Sequence, residues 1–364
     1  MKFEVLWRDK RTAARVGVLY TSSGPVITPA FMPVGTEGAV KGIFPEQLWE
    51  MGYRLLLSNL YHLYLRPGID VIEKAGGISK FMGWAGSVLT DSGGFQIFSL
   101  SKLVKVEEGG IEFSSHIDGS RHYLTPEDVV EYQHRLKVDI AMVLDHFVSN
   151  ERPRKEIEDA TFRTIRWAER AARKKEEING ETAVFGIVQG GVYRDLRRKS
   201  AEEISSMGFD GYAIGGLGVG EKEDEMFSVI EVTNEMLPDD KPRYLMGIGE
   251  PYQMVKAISM GVDLFDCVLP TRNGRRGQIF TEHGKINIKR TEYREDFSFP
   301  DEELPFKKAL LRHLYTSSHI NSALYNTLIN LKFFLDTMIK IRKYIKDNSF
   351  EEFVRMTKKI WRKK

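Results

Sequence analysis

Two aspartates have a setting that suits chemistry on a glycosidic bond. Asp91 in LTDSGGFQIFSL and Asp266 in LFDCVLPTR each end a short apolar run that predicts a buried β-strand. Of two such carboxylates, one can attack the anomeric carbon while the other gives and takes the proton. Spacing alone equally allows each aspartate to be the cap of a following helix.

The elements that must position these residues are short apolar runs separated by amphipathic stretches. Eight runs predict strands: AFMPV (30–34), RLLLS (54–58), SVLT (87–90), DIAMVL (139–144), AVFGIV (183–188), GYAIGG (211–216), RYLMG (243–247) and DLFD (263–266). Their alternation with stretches such as Pro153–Ile178 predicts parallel strands with crossover helices, and the number favours an α/β fold, a (β/α)8 TIM barrel.

Most of these runs end in a residue able to do chemistry or to approach a ligand closely. These residues are Asn59, Asp91, Asp145, Gln189, Gly215, Gly216, Gly247 and Asp266. Each could singly be a turn residue, but the carboxyl ends of barrel strands form the active-site face. We therefore expect the set to converge at one mouth of the barrel.

Glycine pairs and large side chains near the same ends suggest a site for a flat ligand. Ser92-Gly93-Gly94 and Gly215-Gly216 expose backbone groups that can hydrogen-bond a base edge. Phe95 and Met246 could stack on a ring, although each could also be ordinary core. No GxxxxGK motif or dinucleotide-binding GxGxxG motif follows the first strand.

Composition narrows the class of protein. The 364 residues are 42% hydrophobic and 29% charged, and the formal net charge is +2. No apolar stretch is long enough for a membrane helix and the start lacks a signal sequence, so we expect a cytoplasmic location. The single cysteine, Cys267, excludes an internal disulfide and a multi-cysteine metal cluster within one chain.

Two regions depart from the barrel rhythm. Residues 99–123 alternate around two glycine turns and predict inserted β-hairpins within a catalytic domain of residues 1–295. Residues 296–364 predict a C-terminal helical subdomain, with a buried face formed by Leu310, Leu311, Leu314, Leu324, Leu328, Leu331 and Leu335. From Met338 onward there are 10 Lys and Arg residues but only 3 Asp and Glu residues. This excess of positive charge suits either contact with phosphates or a solvated amphipathic helix.

Several long motifs together resemble one enzyme family from about Phe3 to Lys289. They are FMPVGT (31–36), LSNLYHL (57–63), LRPG (65–68), FMGW (81–84), LTDSGGFQIFSL (89–100), FGIVQGG (185–191), GFDGYAIGGLGVGE (208–221), LPDDKPRYLMGIG (237–249) and FDCVLPTRNGRRG (265–277). The chain thereby resembles the bacterial-type tRNA-guanine transglycosylases, also called queuine tRNA-ribosyltransferases. These enzymes replace guanine at the anticodon wobble position with a 7-deazaguanine, in queuosine modification of tRNA.

The resemblance implies a role for each matching residue. Asp266 would be the nucleophile that forms a covalent bond to the ribose, and Asp91 the general acid/base. Asp145, Gln189, Gly216 and the Leu217 backbone would bind the base, Phe95 and Met246 would stack on it, and Asn59 and Gln96 would support the site. Arg272 and Arg275 would hold neighbouring tRNA nucleotides.

Two departures from the family's pattern are visible. Members carry a structural zinc held by three cysteines and a histidine, but residues 296–320 contain no cysteine and Ile329 replaces the histidine. We therefore expect no cofactor and no metal. Phe147 stands at a position that lines the base site, where bacterial members have Cys and eukaryotic ones Val, and this leaves preQ1 or queuine open as the incoming base.

The resemblance also implies partners: the tRNA anticodon loop, the free base, no membrane and a second copy of the chain in a homodimer. Two alternatives remain open from the sequence. One is a non-catalytic tRNA-binding paralogue, and the other is a relative that inserts deazaguanine into DNA. The presence of Asp91, Asp145, Gln189 and Asp266 favours the active enzyme.

Overall fold

The computed structural model describes residues 1–100 and 103–362. The first elements are β1 (Lys2–Arg8), β2 (Arg15–Thr21), β3 (Gly24–Thr28), β4 (Ala30–Met32), α1 (Pro45–Met51), β5 (Leu55–Asn59), α2 (Leu60–Leu65), α3 (Ile69–Lys74), α4 (Ile78–Met82), β6 (Ser87–Asp91) and α5 (Gly94–Leu100). Next come β7 (Val104–Val106), β8 (Ile111–Ser114), β9 (Arg121–Leu124), α6 (Pro126–Arg135), β10 (Ile140–Met142), α7 (Arg154–Ile178), β11 (Ala183–Val188), α8 (Arg194–Ser206), β12 (Gly211–Ile214) and α9 (Glu223–Met236). The last are β13 (Arg243–Leu245), α10 (Pro251–Ser259), β14 (Leu264–Asp266), α11 (Leu269–Arg275), β15 (Gln278–Thr281), β16 (Gly284–Asn287), a 3-10 turn (Thr291–Tyr293), α12 (Lys308–Thr316), α13 (Ile320–Lys346) and α14 (Phe350–Trp361).

Eight parallel strands form a barrel in the order β4-β14-β13-β12-β11-β10-β6-β5. The first and last strands meet where Val34 bridges Leu57, and the Leu57 amide donates to the carbonyl of Pro33 at 3.0 Å. Each of the eight apolar runs in the sequence coincides with one of these strands to within one residue at the carboxyl end of β5 and β6, and contains the whole strand in the other six. The prediction of an α/β (β/α)8 barrel is therefore confirmed.

Burial on both faces explains why the strands appear in the sequence as unbroken apolar runs. Every residue of β11, AVFGIV, is buried between the barrel interior and the outer helices. The amphipathic α7 covers this part of the barrel with Ile157, Ile165 and Trp167 among its buried residues. The core thus fixes the strand ends, and with them the residues that follow.

An antiparallel sheet of β1, β2 and β3, which the sequence did not predict, packs beside the barrel. Arg15 on β2 donates from Nε and Nη2 to Asp263, at 2.9 and 2.7 Å, and both side chains are buried. Asp263 directly precedes β14, so this ion pair ties the N-terminal sheet to the strand that ends in Asp266.

The predicted insertion is a three-stranded antiparallel sheet of β7, β8 and β9. The turn between β7 and β8 is held against α7, because Arg166 binds both oxygens of Glu108 at 2.6 and 2.8 Å. The hairpin prediction is confirmed for the described residues, while Ser101 and Lys102 lie outside them.

The C-terminal part differs in detail from the expected leucine-lined helices. The first α-helix begins only at Lys308, because Pro300 and Pro305 interrupt the preceding residues. Of the seven predicted leucines only Leu311 and Leu331 are buried, and Leu310 is exposed. Within the described ranges, no helix has the length and apolar content that crossing a membrane requires.

The buried face of α13 is partly polar, which explains why the leucine pattern was wrong. Asn330 donates from Nδ2 to the carbonyls of Pro270 and Gln278 at 2.9 and 3.0 Å. Asn326 donates to the carbonyl of Gly274 at 3.2 Å. These amides bind backbone groups at and around α11, so α13 supports the helix that follows the nucleophile candidate.

Candidate active site

A cavity of about 770 Å³ opens at the carboxyl ends of the barrel strands. Its walls contain most of the residues predicted from the sequence: Asn59, Asp91, Phe95, Gln96, Asp145, Phe147, Gly216, Leu217, Met246, Asp266 and Arg272. Gln189 lies behind this wall, hydrogen-bonded to Asp145, and Arg275 lies outside it on α11. The expected convergence at one barrel mouth is therefore observed.

Asp91 ends β6 and is held by three hydrogen-bond donors. Its Oδ2 accepts hydrogen bonds from Nδ2 of Asn59 and, at 2.8 Å, from Nε2 of Gln96. Its Oδ1 accepts from the Leu60 amide at 3.1 Å. Burial raises the pKa of Asp91 to about 6, against the opposing effect of these hydrogen bonds. A carboxyl group with this pKa can exchange a proton near neutral pH.

Asp266 ends β14 and lines the same cavity. Its Oδ1 accepts hydrogen bonds from the Tyr244 hydroxyl at 2.6 Å and from the Gly247 amide at 2.7 Å. Burial raises the pKa of Asp266, while these two donors favour its charged form. The negative charge of Asp266 in turn contributes to the raised pKa of Asp91. The two carboxylates are thus electrostatically coupled but have different partners.

Asp145 forms a separate hydrogen-bonded group with Ser92 and Gln189. Its Oδ1 accepts from the Ser92 hydroxyl at 3.0 Å, and its Oδ2 accepts from Nε2 of Gln189 at 2.7 Å. Burial raises the pKa of Asp145 as well. A buried carboxylate with fixed neighbours can accept N–H groups from a heterocyclic base that enters the cavity.

The loop after β12 brings backbone groups to the cavity wall. Gly216 has φ of +70°, and a Cβ at this position would lie 2.4 Å from Oε1 of Gln189. Only glycine therefore fits here without moving Gln189. As a result, the backbone at Gly216 and Leu217 is open to a ligand in the cavity.

Glu221 fixes this loop, although the sequence did not single it out. Its carboxylate accepts hydrogen bonds from the amides of Gly218 and Val219, the second at 3.1 Å. Asn150 donates both to Glu221, at 3.2 Å, and to the carbonyl of Gly216, at 3.3 Å. Glu221 lies just before α9, where acidic residues are common because of the helix dipole, so its residue type alone does not reveal this contact.

Tyr244 is the other functional residue that sequence reasoning missed. It lies inside β13 and is buried, so the pattern RYLMG marked it only as part of a strand. Its hydroxyl donates a hydrogen bond to Asp266 on the adjacent strand, β14. A tyrosine in a buried strand could have been a signal, because a buried hydroxyl needs a hydrogen-bond partner.

Aromatic side chains form one side of the cavity. The Phe95 ring, 50% exposed, meets the Phe147 ring edge-on with 5.1 Å between centroids. Phe98 lies 6.4 Å from Phe147 and stacks on His146. Phe147 is thus fixed by aromatic neighbours, and it takes up volume in the cavity wall.

Positive charge collects at the rim next to Asp266. Arg272 lines the cavity, and Arg275 and Arg276 follow at the end of α11. Partial burial and the charges of Arg272 and Arg276 lower the pKa of Arg275. Three neighbouring guanidinium groups suit an anionic partner such as a phosphate backbone.

The region that would correspond to the zinc site of the resembling family contains an apolar cluster. Ile279, Ile288, Leu311 and Ile329 are buried together. Phe306 and Tyr325 stack beside them with 4.2 Å between ring centroids. Among residues 1–100 and 103–362, no three His, Cys, Asp or Glu side chains form a group that could hold a metal ion.

Comparison with known proteins supplies an independent line of evidence. Residues 9–363 match the family model described as queuine tRNA-ribosyltransferase. The chain is 48% identical to a protein of that name from Caldanaerobacter subterraneus subsp. tengcongensis, covering 97% of this chain and 96% of the relative. Proteins of the same name from Dictyoglomus turgidum and Thermodesulfovibrio yellowstonii are 46% and 45% identical. Those comparisons cover 97% and 99% of this chain, and 93% and 94% of the relatives.

Proposed function

The chain belongs to the queuine tRNA-ribosyltransferase family of pentosyltransferases, and from that premise we propose how its residues exchange guanine in tRNA for a 7-deazaguanine. The observation that carries the proposal is that Asp91 and Asp266 line one cavity with different hydrogen-bond partners. Asp266 is the nucleophile and Asp91 is the general acid/base.

The reaction proceeds in two displacements at C1′ of the ribose. In the first, a carboxylate oxygen of Asp266 bonds to C1′ as the bond to guanine breaks, and the proton of Asp91 goes to the leaving base. In the second, the incoming base gives a proton to Asp91 and its nitrogen bonds to C1′, releasing Asp266. One glycosidic bond replaces another, so no redox cofactor or nucleotide is consumed.

Binding of the base uses groups on the cavity wall together with Gln189, which lies directly behind the wall. Asp145 and Gln189 accept and donate hydrogen bonds at its edge, together with the backbone at Gly216 and Leu217. Phe95 and Met246 stack on its faces. Asn59 and Gln96 hold Asp91, the first through Oδ2 and the second at 2.8 Å from the same oxygen.

The tRNA lies on the basic rim. Arg272 and Arg275 bind phosphates of nucleotides next to the target, since a guanidinium matches a phosphate geometrically. The target nucleotide turns out of the anticodon loop to reach the cavity, which costs less in a loop than in a duplex. Because tRNA is the substrate, we propose that the protein acts in the cytoplasm.

Incubation with labelled guanine and either tRNA or DNA tests this function. We expect label to enter tRNA at the wobble position and not DNA. Label in DNA alone would indicate a DNA-inserting relative, and no incorporation into either would indicate a non-catalytic tRNA-binding paralogue.

We propose preQ1 as the incoming base. The Phe147 side chain occupies cavity volume beside Phe95, and a smaller 7-substituent fits this wall better than the bulkier one of queuine. Measuring the exchange rate with each free base decides between them, and faster exchange with queuine would contradict the assignment.

We also propose that residues 296–364, a C-terminal subdomain distinct from the catalytic domain of residues 1–295, carry no zinc. The apolar cluster around Ile329 supplies packing in place of ligands. Two salt bridges hold the segment before α12 against the helices. Nζ of Lys308 lies 3.2 Å from Oδ2 of Asp296, and Nζ of Lys332 lies 2.7 Å from Oε2 of Glu303. Elemental analysis that finds one tightly bound zinc per chain would contradict this.

We also propose that two copies of the chain form a homodimer. Phe44 and Ile320 are 69% and 77% exposed. The loop before Phe44 adjoins α13, because a Cβ on Gly42 would lie 3.1 Å from Thr327. Light scattering of the purified protein should give twice the chain mass, and Phe44→Glu should shift it toward the monomer.

A further inference from the structure

Arg197 is a buried arginine on α8 that the proposed reaction does not use. Its Nε donates a hydrogen bond to the carbonyl of Gly191, and its Nη1 donates to the carbonyl of Val188, both at 2.8 Å. Its side chain is wholly buried. The two carbonyls lie on either side of the segment Gln189-Gly190, so a single guanidinium spans the loop after β11.

The loop depends on α8 at other points too. The backbone N–H of Gln189 donates a hydrogen bond to the Ser200 hydroxyl at 3.2 Å. Gly190 has φ of +141°, and a Cβ there would lie 2.8 Å from the backbone nitrogen of Arg197. The backbone of Gln189 is therefore held between the strand and the helix, with Arg197 binding the residues before and after it.

Gln189 in turn is part of the cavity wall's hydrogen-bonded group. Its Nε2 donates to Oδ2 of Asp145 at 2.7 Å. Its Oε1 lies where a side chain on Gly216 would otherwise be. A small rotation of the Gln189 backbone would move its side-chain amide, and with it the hydrogen bond to Asp145 and the close fit of Oε1 against Gly216.

The charge of Arg197 is unusual for a structural residue. Among the described residues, the two acceptors that Arg197 binds are neutral carbonyls, and its buried Nη2 has no hydrogen-bond partner. Burial lowers the pKa of Arg197 to about 9, with the negative charge of Glu221 acting in the opposite direction. Arg197 therefore stays charged at neutral pH, near the carboxylate that holds the Gly218 and Val219 amides.

We propose that Arg197 is a positioning residue for base recognition, whose guanidinium fixes the Val188 and Gly191 carbonyls so that Gln189 holds Asp145 in register for the base. This inference rests on the proposed function. It concerns the free base and the target guanine, and it does not concern the contacts of the tRNA backbone at the basic rim.

The test compares Arg197→Met, Arg197→Lys and Arg198→Met with the wild-type enzyme. Arg198 is the exposed neighbour on the same helix and serves as the matched control. Labelled guanine exchange into tRNA gives KM for the base and kcat, a filter assay gives the dissociation constant for tRNA, and thermal unfolding gives Tm. Wild-type exchange is measured first, so its failure would overturn the proposed function rather than this inference.

We expect Arg197→Met to raise KM for guanine roughly tenfold or more, as for loss of a charged hydrogen bond, with the tRNA dissociation constant within about twofold of wild type. Arg197→Lys, which keeps the charge but places all its donors on one nitrogen, should lie between. Arg198→Met should match wild type. An unchanged KM for guanine in Arg197→Met would overturn the inference, as would a parallel loss of base binding, tRNA binding and Tm.

Should Arg197→Met fail to fold, Arg197→Lys decides. A KM for guanine raised at least about threefold at unchanged Tm supports the positioning role, because lysine lacks the planar guanidinium whose Nε and Nη1 bind the two carbonyls separately. A KM equal to that of the wild type overturns it.

Discussion

The Tyr244 hydroxyl donates a hydrogen bond of 2.6 Å to Oδ1 of Asp266, and the Gly247 amide donates to the same oxygen at 2.7 Å. Tyr244 pairs with Leu264 across the neighbouring strands, two residues before Asp266. Because side chains alternate along a strand, Tyr244 and Asp266 project to the same side of the barrel wall. The nucleophile candidate is thus oriented through one oxygen, which leaves the other for C1′.

Tyr244→Phe tests this orientation. Removing the hydroxyl takes away a hydrogen bond to a charged group, so we expect kcat for guanine exchange to fall about tenfold or more. The loss should also raise the pKa of Asp266, because this hydroxyl favours the charged form. Tyr212→Phe is the matched control, since Tyr212 lies on the adjacent β12 and donates to the Ser205 carbonyl. Equal activity of the two variants would contradict the role.

Asp91→Asn should make the protein more stable at neutral pH. Burial raises the pKa of Asp91 from 3.8 to about 6, so the folded state binds this proton more tightly than the unfolded state. The ionised carboxylate therefore destabilises the fold above about pH 6, and this cost fades as pH falls to about 4. We expect the variant's gain in free energy of unfolding to reach up to roughly 3 kcal/mol at pH 8.

Urea unfolding at pH 8 and pH 4 measures that difference. Glu46→Gln, at an exposed carboxylate in the first turn of α1, is the control. A gain of the same size at both pH values for Asp91→Asn would show that Asp91 does not carry the pH dependence.

Phe147→Ala should widen the base site. Removing the ring that meets Phe95 at 5.1 Å frees volume at the cavity wall. We expect the ratio of queuine exchange to preQ1 exchange to rise about tenfold or more, because steric exclusion by the ring is lost. Phe147→Leu keeps most of the volume and should change the ratio much less. An unchanged ratio in Phe147→Ala would mean that another residue sets the choice of base.

Ile329→Ala should destabilise the C-terminal part. Ile329 is 1% exposed within the cluster of Ile279, Ile288 and Leu311, so the truncation leaves a cavity. We expect a loss of about 2–5 kcal/mol in free energy of unfolding, against less than about 0.5 kcal/mol for the exposed Ile339→Ala. A chelator should leave the Tm of the wild-type protein unchanged. A large drop in Tm on chelation would point to a bound metal.

The sequence predicted those parts of the fold that depend on burial along the chain. Each barrel strand is buried on both faces, so its apolar run is visible without knowledge of its neighbours. Asp91 and Asp266 followed from the same pattern, because a polar residue at the carboxyl end of a buried barrel strand lies at the barrel mouth. Their roles stay predictions until they are measured.

What the sequence could not predict depends on partners that are distant in the chain. Tyr244 resembles any core aromatic until β14 brings Asp266 beside its hydroxyl. Asn326 and Asn330 look like exposed helix residues, yet they bind backbone carbonyls near α11. Every residue has a backbone carbonyl, so the sequence does not show which carbonyls will bind a distant side chain. The leucine periodicity therefore predicted a different buried face for α13.

The most direct measurement is the site of the covalent bond between tRNA and protein. The enzyme and tRNA are mixed, denatured and digested, and mass spectrometry locates the peptide that carries the ribose. We predict attachment to Asp266, no covalent complex with Asp266→Asn despite normal tRNA binding, and residual complex with Asp91→Asn. Attachment at Asp91, or full guanine exchange by Asp266→Asn, would contradict the account.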